Sequence, residues 1–316
     1  MKHLSSIAVI ICVSKNNRIN WLVEAVVSIL KQTPKPEEII IVYDNVCGLK
    51  NTLESKLPRS VTIVRNKADK GLSNARNTGI EMATSDIIAF VDDDAIPQPR
   101  WAEFIKAAFR RQGIVGVGGR VIPVWLDSGK RPVWFPEELD WIIGCTPVGF
   151  AEDKSIIRNA YGCNMAFKRE ELLRIGGFEQ SLGGPVSGDD TDICLRIASG
   201  NNSNSIIYEP QAVVKHFVPR ERQSLKYIAS SAWRQGIGKA ITHRLHRNDT
   251  RTLSSEIKYL SQLIFLFIPH RLSHMFRHPS RSLGGIISIT IMLISIGSGF
   301  VFKKIGLVKG EPFSAR

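Results

Sequence analysis

The N-terminal part of the chain alternates short apolar runs with segments of helical periodicity. Apolar runs of this length predict buried strands, and they occupy residues 6–13, 39–43, 61–64 and 87–91. Between them, apolar side chains recur at helical spacing from Trp21 to Lys31 and from Leu72 to Ala83. Strands and helices that alternate in this way indicate βαβ units. We therefore predict an α/β fold with a mostly parallel central sheet.

The pattern is less regular between the middle of the chain and residue 225. Trp101 to Arg111 and Ile193 to Ala198 have helical spacing, whereas Ala212 to Val214 is apolar and strand-like. The stretch from Arg111 to about Arg158 is rich in Gly, Pro and Trp. Because Gly and Pro interrupt regular structure, we expect this stretch to be irregular.

Two apolar segments near the C-terminus have a different character. Leu253 to Phe276 has an apolar centre bracketed by charged residues, which favours an amphipathic helix at a membrane interface over a buried surface helix. Gly284 to Phe302 is 19 residues long without a charge. As a helix it measures roughly 28 Å, close to the thickness of a bilayer's hydrocarbon core. A single membrane-spanning anchor is favoured there, with a buried helix of a soluble domain as the alternative.

The net charge of +13 belongs to the C-terminal third of the chain. Residues 215–281 carry 13 Lys and Arg against 3 Asp and Glu, whereas residues 1–214 carry 25 of each. A basic region can bind nucleic acid, an acidic partner or an anionic membrane. Few aromatic residues are interleaved for base stacking, so we expect a membrane partner and no nucleic acid.

These patterns divide the chain into four regions. We predict a large α/β domain, a basic amphipathic membrane-proximal region, a transmembrane helix and a short basic tail, at residues 1–225, 226–281, 284–302 and 303–316. The five cysteines include no CxxC pair, which argues against a disulfide framework or a zinc site and fits a reducing compartment.

Three adjacent carboxylates, Asp92, Asp93 and Asp94, directly follow the strand at residues 87–91. Open α/β sheets bind their ligands at the carboxyl ends of the strands. Crowded carboxylates repel one another, and a divalent cation relieves that repulsion while holding an anion such as a diphosphate. The alternative is a solvated loop that caps the helix beginning near Trp101.

Further polar residues stand at predicted strand ends and loops. Asp44 closes the second strand, and His216 follows the strand-like residues 212–214. Asp189 and Asp190 lie in a Gly-rich loop before a helix, where one of them is a natural N-cap and the other is a candidate general base. His216 becomes a candidate metal ligand if it meets the carboxylates, and a structural histidine is the alternative.

Five features in order resemble the family 2 inverting glycosyltransferases of the GT-A fold. They span roughly residues 5–240 and consist of Asp44 at the second strand end, GLSNARNTGIEMATSDIIAFVDDD (71–94), GCNMAFKREELLRIGGFE (162–179), GDDTDICLRI (188–197) and YEPQAVVKHFVPRER (208–222). The resemblance implies a nucleotide-sugar donor, for which we expect a UDP-sugar, with Mn²⁺ or Mg²⁺ as cofactor.

The resemblance also implies roles for residues around the donor. Asp44 would contact the nucleotide base, and Arg76 would lie near the nucleotide. Asp94 would be the direct metal ligand, completed by His216, while Asp92 would face the ribose and the metal.

The remaining matched residues concern the sugar and the reaction. Asp190 would be the catalytic base and Asn164 would approach the donor sugar, while Asp93 and Asp189 belong to the donor-binding set. Two departures from the family pattern stand out. Asp189 replaces a longer Glu, and the corner after the first strand, residues 14–17, lacks an aromatic residue.

A narrower resemblance concerns the acceptor. Residues 131–150 and 158–162 resemble membrane-associated transferases that extend lipid-linked saccharides, including archaeal enzymes that pass glucuronic acid to a dolichyl-phosphate-linked sugar. We therefore expect a lipid-linked or saccharide acceptor, and a location at the cell membrane, single-pass or peripheral, with a cytoplasmic catalytic domain. Direct transfer to a polyprenyl phosphate and a non-catalytic nucleotide-sugar-binding protein are the alternatives. The motifs leave the identity of the sugar open.

Overall fold

The computed structural model describes residues 6–46, 48–68, 70–127, 129–183, 186–200, 204–247, 249, 252 and 254–308. The chain divides into two units. The first, called the sheet unit, comprises the described residues of Met1–Leu126, Gly144–Gly184 and Asp189–Val218. The second, called the helical unit, comprises those of Asp127–Ile143, Pro185–Gly188 and Pro219–Arg316. The structural units thus group residues 127–143 with the C-terminal helices, whereas the sequence-based regions placed them in the large α/β domain.

The sheet unit contains one mixed sheet of eight strands among its described residues, in the order β3-β2-β1-β4-β7-β6-β8-β5. The strands are β1 (Ile7–Val13), β2 (Glu38–Tyr43), β3 (Thr62–Arg65), β4 (Ile87–Asp92), β5 (Ala95–Pro97), β6 (Ile114–Trp125), β7 (Asn164–Lys168) and β8 (Ser205–Val218). Four of the neighbouring pairs are parallel and three are antiparallel. The predicted α/β class and mostly parallel sheet are therefore confirmed.

The parallel half of the sheet consists of β3, β2, β1 and β4. Every residue of β1 except Cys12 is buried, and β4 is buried up to Asp92. Such continuous Ile and Val runs are typical of strands covered on both faces. The carboxyl ends of these parallel strands meet at one edge, which brings the ends of β1, β2 and β4 together.

The six helices described in the sheet unit connect its strands. They are α1 (Ile19–Leu30), α2 (Leu49–Lys56), α3 (Leu72–Met82), α4 (Trp101–Ala108), α5 (Arg169–Arg174) and α6 (Asp189–Ser199). Helix α3 packs closely on β1, because a Cβ at Gly79 would lie 2.7 Å from a side-chain carbon of Ile10. A residue without a side chain is therefore needed at this contact.

Strand β6 corrects the expectation of irregular structure after Arg111. It is a 12-residue strand paired with β7 and β8. Its glycines fit the sheet because their neighbours approach closely: a Cβ at Gly116 would lie 2.8 Å from the Phe167 ring. The glycines that suggested a loop from the sequence instead permit tight packing in the sheet.

The helical unit contains four described α-helices: α7 (Leu225–Leu245), α8 (Ser254–Gln262), α9 (Ile268–Ser273) and α10 (Pro279–Lys304). A π-helical turn at Leu263–Phe267 joins α8 to α9. Among the described residues, α10 is the one helix long and apolar enough to cross a membrane: it has 26 residues and contains an 18-residue stretch with a mean hydropathy of 2.1. It contains the whole of the predicted span at residues 284–302.

Candidate active site

Two carboxylates and an imidazole meet at the carboxyl edge of the parallel strands. Asp92 ends β4 opposite Cys12 of β1, while Asp94 precedes β5, whose Ala95 pairs with His216 of β8. The Nε2 atom of His216 lies 3.1 Å from Oδ1 of Asp94. Asp92, Asp94 and His216 present ligand atoms that all lie within 4.8 Å of one another. The strand pairing therefore assembles the three residues from two distant parts of the chain.

This cluster fits a divalent cation. Carboxylate oxygens and an imidazole nitrogen are ligands that suit Mn²⁺, whereas Mg²⁺ prefers an all-oxygen set. Asp94 is only 1% exposed and His216 only 3%. Burial, together with the charge of Asp94, raises the pKa of Asp92 although Arg76 and His216 oppose it. A bound cation would relieve the cost of holding these buried carboxylates in their charged form.

The guanidinium of Arg18 places a positive charge beside the carboxylates of Asp93 and Asp94. Arg18 ends the short 3-10 turn Asn16–Arg18. Its Nη1 donates to Oδ1 of Asp93 at 2.9 Å and lies 3.0 Å from Oδ2 of Asp94. Burial alone would lower the pKa of Arg18, but Asp94 and Asp93 outweigh burial and raise it.

Sequence reasoning missed Arg18. Its partners lie more than 70 residues away along the chain, so no local motif joins them. The signal that could have found it is its place just after β1, at the same carboxyl edge of the sheet where Asp93 and Asp94 follow β4. Asp93 belongs to this ion pair. Burial and Asp94 raise the pKa of Asp93 to about 7, against the opposing effect of Arg18.

Arg76 of α3 is buried and connects two carboxylates of the site. Its Nη1 donates to Oδ2 of Asp189, and its Nη2 lies 3.5 Å from Oδ1 of Asp92. Nη2 also donates to the Gly162 carbonyl at 3.2 Å, and the guanidinium stacks 5.1 Å from the Phe178 ring centre. Burial would lower the pKa of Arg76, but Asp189 and Asp92 raise it. The arginine predicted to lie near the nucleotide is thus held between the two acidic segments.

Asp189 and Asp190 occupy the first turn of α6. Asp189 is the first residue of the helix, so neither acid occupies the N-cap position that precedes it. Asp189 is buried against Arg76, whereas Asp190 is half-buried and its Oδ1 accepts a hydrogen bond from the Thr191 amide at 2.7 Å. Negative charge in the first helical turn is stabilised by the helix dipole. The two neighbouring acids therefore have different surroundings, with Asp189 paired and Asp190 more accessible.

Asp44 lies just beyond β2 and is held by a residue that the sequence analysis overlooked. The Nδ2 of Asn66 donates to Oδ1 of Asp44 at 2.7 Å, and Oδ1 of Asn66 accepts from the Thr78 hydroxyl at 3.3 Å. Asn66 directly follows β3, so its position after a strand was the available signal. Because β1 separates β2 from β4, the backbones of these two strands lie about 10 Å apart at the edge.

Asn164 is fully buried, and its amide is engaged within the fold. Its Oδ1 accepts from the Trp101 indole at 2.8 Å. Its Nδ2 donates to the carbonyls of Arg120 and Ala212 at 3.0 and 2.8 Å. The side chain thereby joins β6, β8 and α4. Contact with the donor sugar stays a prediction for Asn164, and it would require the amide to exchange at least one of these bonds.

Three cysteines lie near the acidic cluster, of which Cys145 and Cys163 are buried and Cys12 is partly buried. Sγ of Cys145 lies 3.7 Å from Nδ1 of His216, and Cys163 donates to the Gly144 carbonyl. Burial raises the pKa of Cys12 to about 12 and that of Cys163 well above its ordinary value. Cys12 and Cys163 are therefore neutral thiols at physiological pH, a state unsuited to nucleophilic catalysis.

Comparison with known families gives a match over more than half of the chain. The model of glycosyl transferase family 2 matches residues 9–176. These residues include Asp44, Arg76 and the Asp92–Asp94 triplet. Asp190 and His216 lie beyond the matched range.

Individual relatives and structures agree with that match. The chain is 29% identical to the glucosyl-dolichyl phosphate glucuronosyltransferase of Haloferax volcanii, over 94% of this chain and 95% of the relative. A mannosyltransferase from Pyrobaculum calidifontis, solved with GDP-Man and Mn²⁺, superposes with a TM-score of 0.56 at 18% sequence identity. The match covers 94% of this chain and 87% of the mannosyltransferase. GalNAc-T7, solved with UDP, GalNAc and Mn²⁺, superposes with a TM-score of 0.53 at 16% sequence identity. That match covers 82% of this chain and 55% of GalNAc-T7. The predicted GT-A fold is thereby confirmed.

Proposed function

The chain belongs to glycosyl transferase family 2, and we propose that it is a metal-dependent inverting enzyme that moves a sugar from a UDP-sugar to a lipid-linked saccharide. The observation that carries this proposal is the cluster of Asp92, Asp94 and His216 at the carboxyl edge of the sheet. Its ligand atoms converge within 4.8 Å, in the position where open α/β sheets bind ligands.

The residues of this cluster would hold the metal and the donor diphosphate. Asp94 and His216 would bind Mn²⁺ or Mg²⁺, with Asp92 toward the metal and the ribose. A cation bound there would neutralise negative charge on the departing diphosphate. Asp44, fixed by Asn66, would receive the nucleotide base. Both solved neighbours contain Mn²⁺ and a nucleotide or nucleotide sugar, which supports this assignment of the edge.

Asp190 would remove the proton from the acceptor hydroxyl. Inversion requires that hydroxyl to attack from the face opposite the diphosphate, and a carboxylate within hydrogen-bond reach can act as the base. Asp190 is half-buried at the start of α6, so an acceptor can approach it. Its neighbour Asp189 is paired with Arg76, and Arg76 also lies beside Asp92. This pairing would hold the base segment at a set distance from the metal cluster.

A lipid-linked acceptor is supported by the relative from Haloferax volcanii, whose name specifies transfer to glucosyl-dolichyl phosphate. Direct transfer to a polyprenyl phosphate is the alternative. A phosphate monoester is largely ionised at neutral pH, so transfer to it would depend little on Asp190. We further propose that the protein acts at the cell membrane with its catalytic domain on the cytoplasmic side, since the basic region and the apolar α10 suit that location.

The test is a direct assay of purified full-length protein in detergent. UDP-glucose, UDP-glucuronate, UDP-N-acetylglucosamine and GDP-mannose are each supplied with Mn²⁺ or Mg²⁺ and with a dolichyl phosphate that does or does not carry a sugar. We expect release of UDP and a lipid product one sugar heavier, dependent on the glycosylated lipid and abolished by EDTA. Full turnover with EDTA would contradict the metal assignment. Turnover on bare dolichyl phosphate alone would favour the alternative acceptor.

A further inference from the structure

Helix α10 has its more apolar side facing outward. Between its two ends, the exposed residues follow one helical stripe, Leu283, Ile287, Thr290, Ile294, Gly297 and Val301. Its buried residues are Ser282, Gly285, Ser288, Ile289, Met292 and Gly299. Ile294 is 64% exposed, although it lies in the middle of the helix. A helix on a water-soluble protein shows the opposite arrangement, with the apolar stripe inside, whereas small residues inside and large apolar residues outside are typical of helices that contact lipid.

The inner side of α10 is packed along most of its length within the helical unit. Near its start, the Ser288 hydroxyl donates to the Trp134 carbonyl at 2.8 Å, and a Cβ at Gly285 would lie 2.6 Å from the guanidinium of Arg271. Near its end, a Cβ at Gly299 would overlap the carbonyl of Trp233 on α7. Gly285 and Gly299 are 14 positions apart, or about 21 Å along the helix axis.

The neighbours of α10 are unsuited to the interior of a bilayer. Helix α7 carries charged residues along its length, including the exposed Arg234 and Arg244. Arg271 is paired with Glu138 at 2.5 Å. If α10 crossed the membrane while keeping these contacts, it would carry the charged neighbours into the hydrocarbon. Charged side chains are costly there, so the packing and a transmembrane orientation exclude each other.

The segment before α10 exposes further large apolar side chains. From α8 through α9 the exposed ones are Ile257, Leu260, Ile264, Phe265, Leu266 and Leu272, followed by Phe276. Phe265 is 79% exposed and Phe276 is 98% exposed. Exposed basic residues accompany them, namely Lys258, Arg277, Arg281 and Lys304. Apolar side chains with flanking Lys and Arg are the combination that binds the interface of an anionic bilayer.

We propose that the helical unit binds an anionic bilayer from one side and that α10 lies in the interface without crossing it. The exposed stripe of α10 and the apolar side chains of α8 and α9 enter the outer acyl region, while the basic residues contact lipid phosphates. Lys303 and Lys304 then stay on the same side of the membrane as Arg277. This inference rests on the proposed membrane location, but not on the proposed chemistry.

The first test is the topology of the full-length protein in sealed membrane vesicles. One tag precedes Met1 and another follows Arg316, and an impermeant protease is added to vesicles of each orientation. We expect both tags to be digested in one orientation and both to be protected in the other. Digestion of one tag with protection of the other would establish a crossing and overturn the inference. Recovery of the protein in the soluble fraction without detergent would overturn the membrane location itself, while leaving the transfer reaction testable in solution.

The second test measures binding of purified protein to vesicles by flotation. Phosphatidylcholine vesicles with and without phosphatidylglycerol are compared for wild type, Ile294→Glu, Phe265→Glu and the control Met82→Glu. Met82 is 43% exposed on α3 of the sheet unit. We expect the ratio of bound to free protein to fall roughly tenfold or more for the first two variants, because a carboxylate enters apolar surroundings, and to stay unchanged for the control.

Two results of the flotation experiment would contradict the proposal. If Ile294→Glu and Phe265→Glu bind vesicles as tightly as wild type, neither the exposed stripe of α10 nor the apolar surface around Phe265 contacts the bilayer. If wild type and all variants bind vesicles equally with and without phosphatidylglycerol, the protein has no preference for anionic lipid. Far-ultraviolet circular dichroism of each variant, compared with wild type, distinguishes loss of binding from loss of folding.

Discussion

The two units of this protein use apolar side chains in opposite ways. In β1 and β4, the Ile and Val residues face the interior, and the polar residues that follow them collect at one edge of the sheet. In α10, four of the six buried residues are Ser or Gly, and most residues of the exposed stripe are large and apolar. Apolar residues avoid water in both cases. In the sheet unit the protein itself covers them, whereas in the helical unit we infer that a lipid bilayer does so.

We expect the sheet unit to determine the chemistry of the reaction and the helical unit to determine where the protein is located. Substitutions at the edge of the sheet should change turnover with every acceptor, because they alter the reacting groups. Substitutions on the outer side of the helical unit should matter only when the acceptor is embedded in a membrane.

Asp94→Ala should abolish activity, with a loss of roughly 10³-fold or more, because it removes a ligand from the proposed metal cluster. Turnover with a soluble acceptor analogue and Mn²⁺-dependent binding of UDP are both measured. The control is Glu54→Ala, which removes a carboxylate that is exposed on α2. If Asp94→Ala keeps near-normal turnover in EDTA, the cluster has no metal-binding role.

Asp190→Asn should lower turnover roughly 10²-fold or more with little change in donor affinity, as expected for a general base. Asp189→Asn is the matched comparison one residue away. Since it removes the carboxylate paired with the buried Arg76, we expect it also to lower the thermal midpoint. Steady-state kinetics and thermal unfolding separate the two. An equal loss of donor affinity in Asp190→Asn would contradict its assignment as the base.

Arg18→Gln should tighten Mn²⁺ binding by roughly tenfold, because it removes a positive charge that competes for the Asp94 carboxylate. Arg18→Lys, which keeps the charge, should bind Mn²⁺ nearly as wild type does. Titration calorimetry gives the affinities. In EDTA, Arg18→Gln should also unfold at a lower temperature than wild type, and saturating Mn²⁺ should reduce that difference. Weaker Mn²⁺ binding in Arg18→Gln would instead assign Arg18 to positioning the ligands.

Phe265→Glu should leave turnover with a detergent-solubilised acceptor unchanged and lower turnover with a vesicle-embedded acceptor several-fold, because the protein binds the vesicle less tightly. Initial rates on the two forms of one acceptor are compared. A similar loss with both forms would mean that the helical unit contributes to the chemistry itself, and the separation between the units would fail.

Several parts of the site could be predicted from the sequence because they depend on local order. Asp44 and the Asp92–Asp94 triplet come directly after apolar runs, and parallel strands bring their carboxyl ends to one edge. His216 was predicted to follow a strand, but it lies within β8, and the antiparallel β5–β8 pairing brings it to Asp94. The roles of these residues in binding and catalysis remain predictions.

Other contacts depend on residues far apart in the chain. Arg18 and Asp93 are 75 positions apart, and Arg76 and Asp189 are 113 apart. Neither pair leaves a pattern in the sequence. The glycines of β6 left a pattern that was misleading. They suggested a loop from the sequence, whereas in the structure they permit close packing against Phe167.

The sequence by itself determined the α/β class, the sheet edge that carries the acids and the presence of a long apolar segment near the C-terminus. Periodicity and strand order suffice for these features, because they follow from which side chains must leave water. Only the tertiary structure decided that Arg76 links Asp189 to Asp92, that Arg18 reaches Asp93 and Asp94, and which side of α10 faces outward. These features depend on contacts between distant segments, and hydropathy records that a side chain avoids water without recording what covers it.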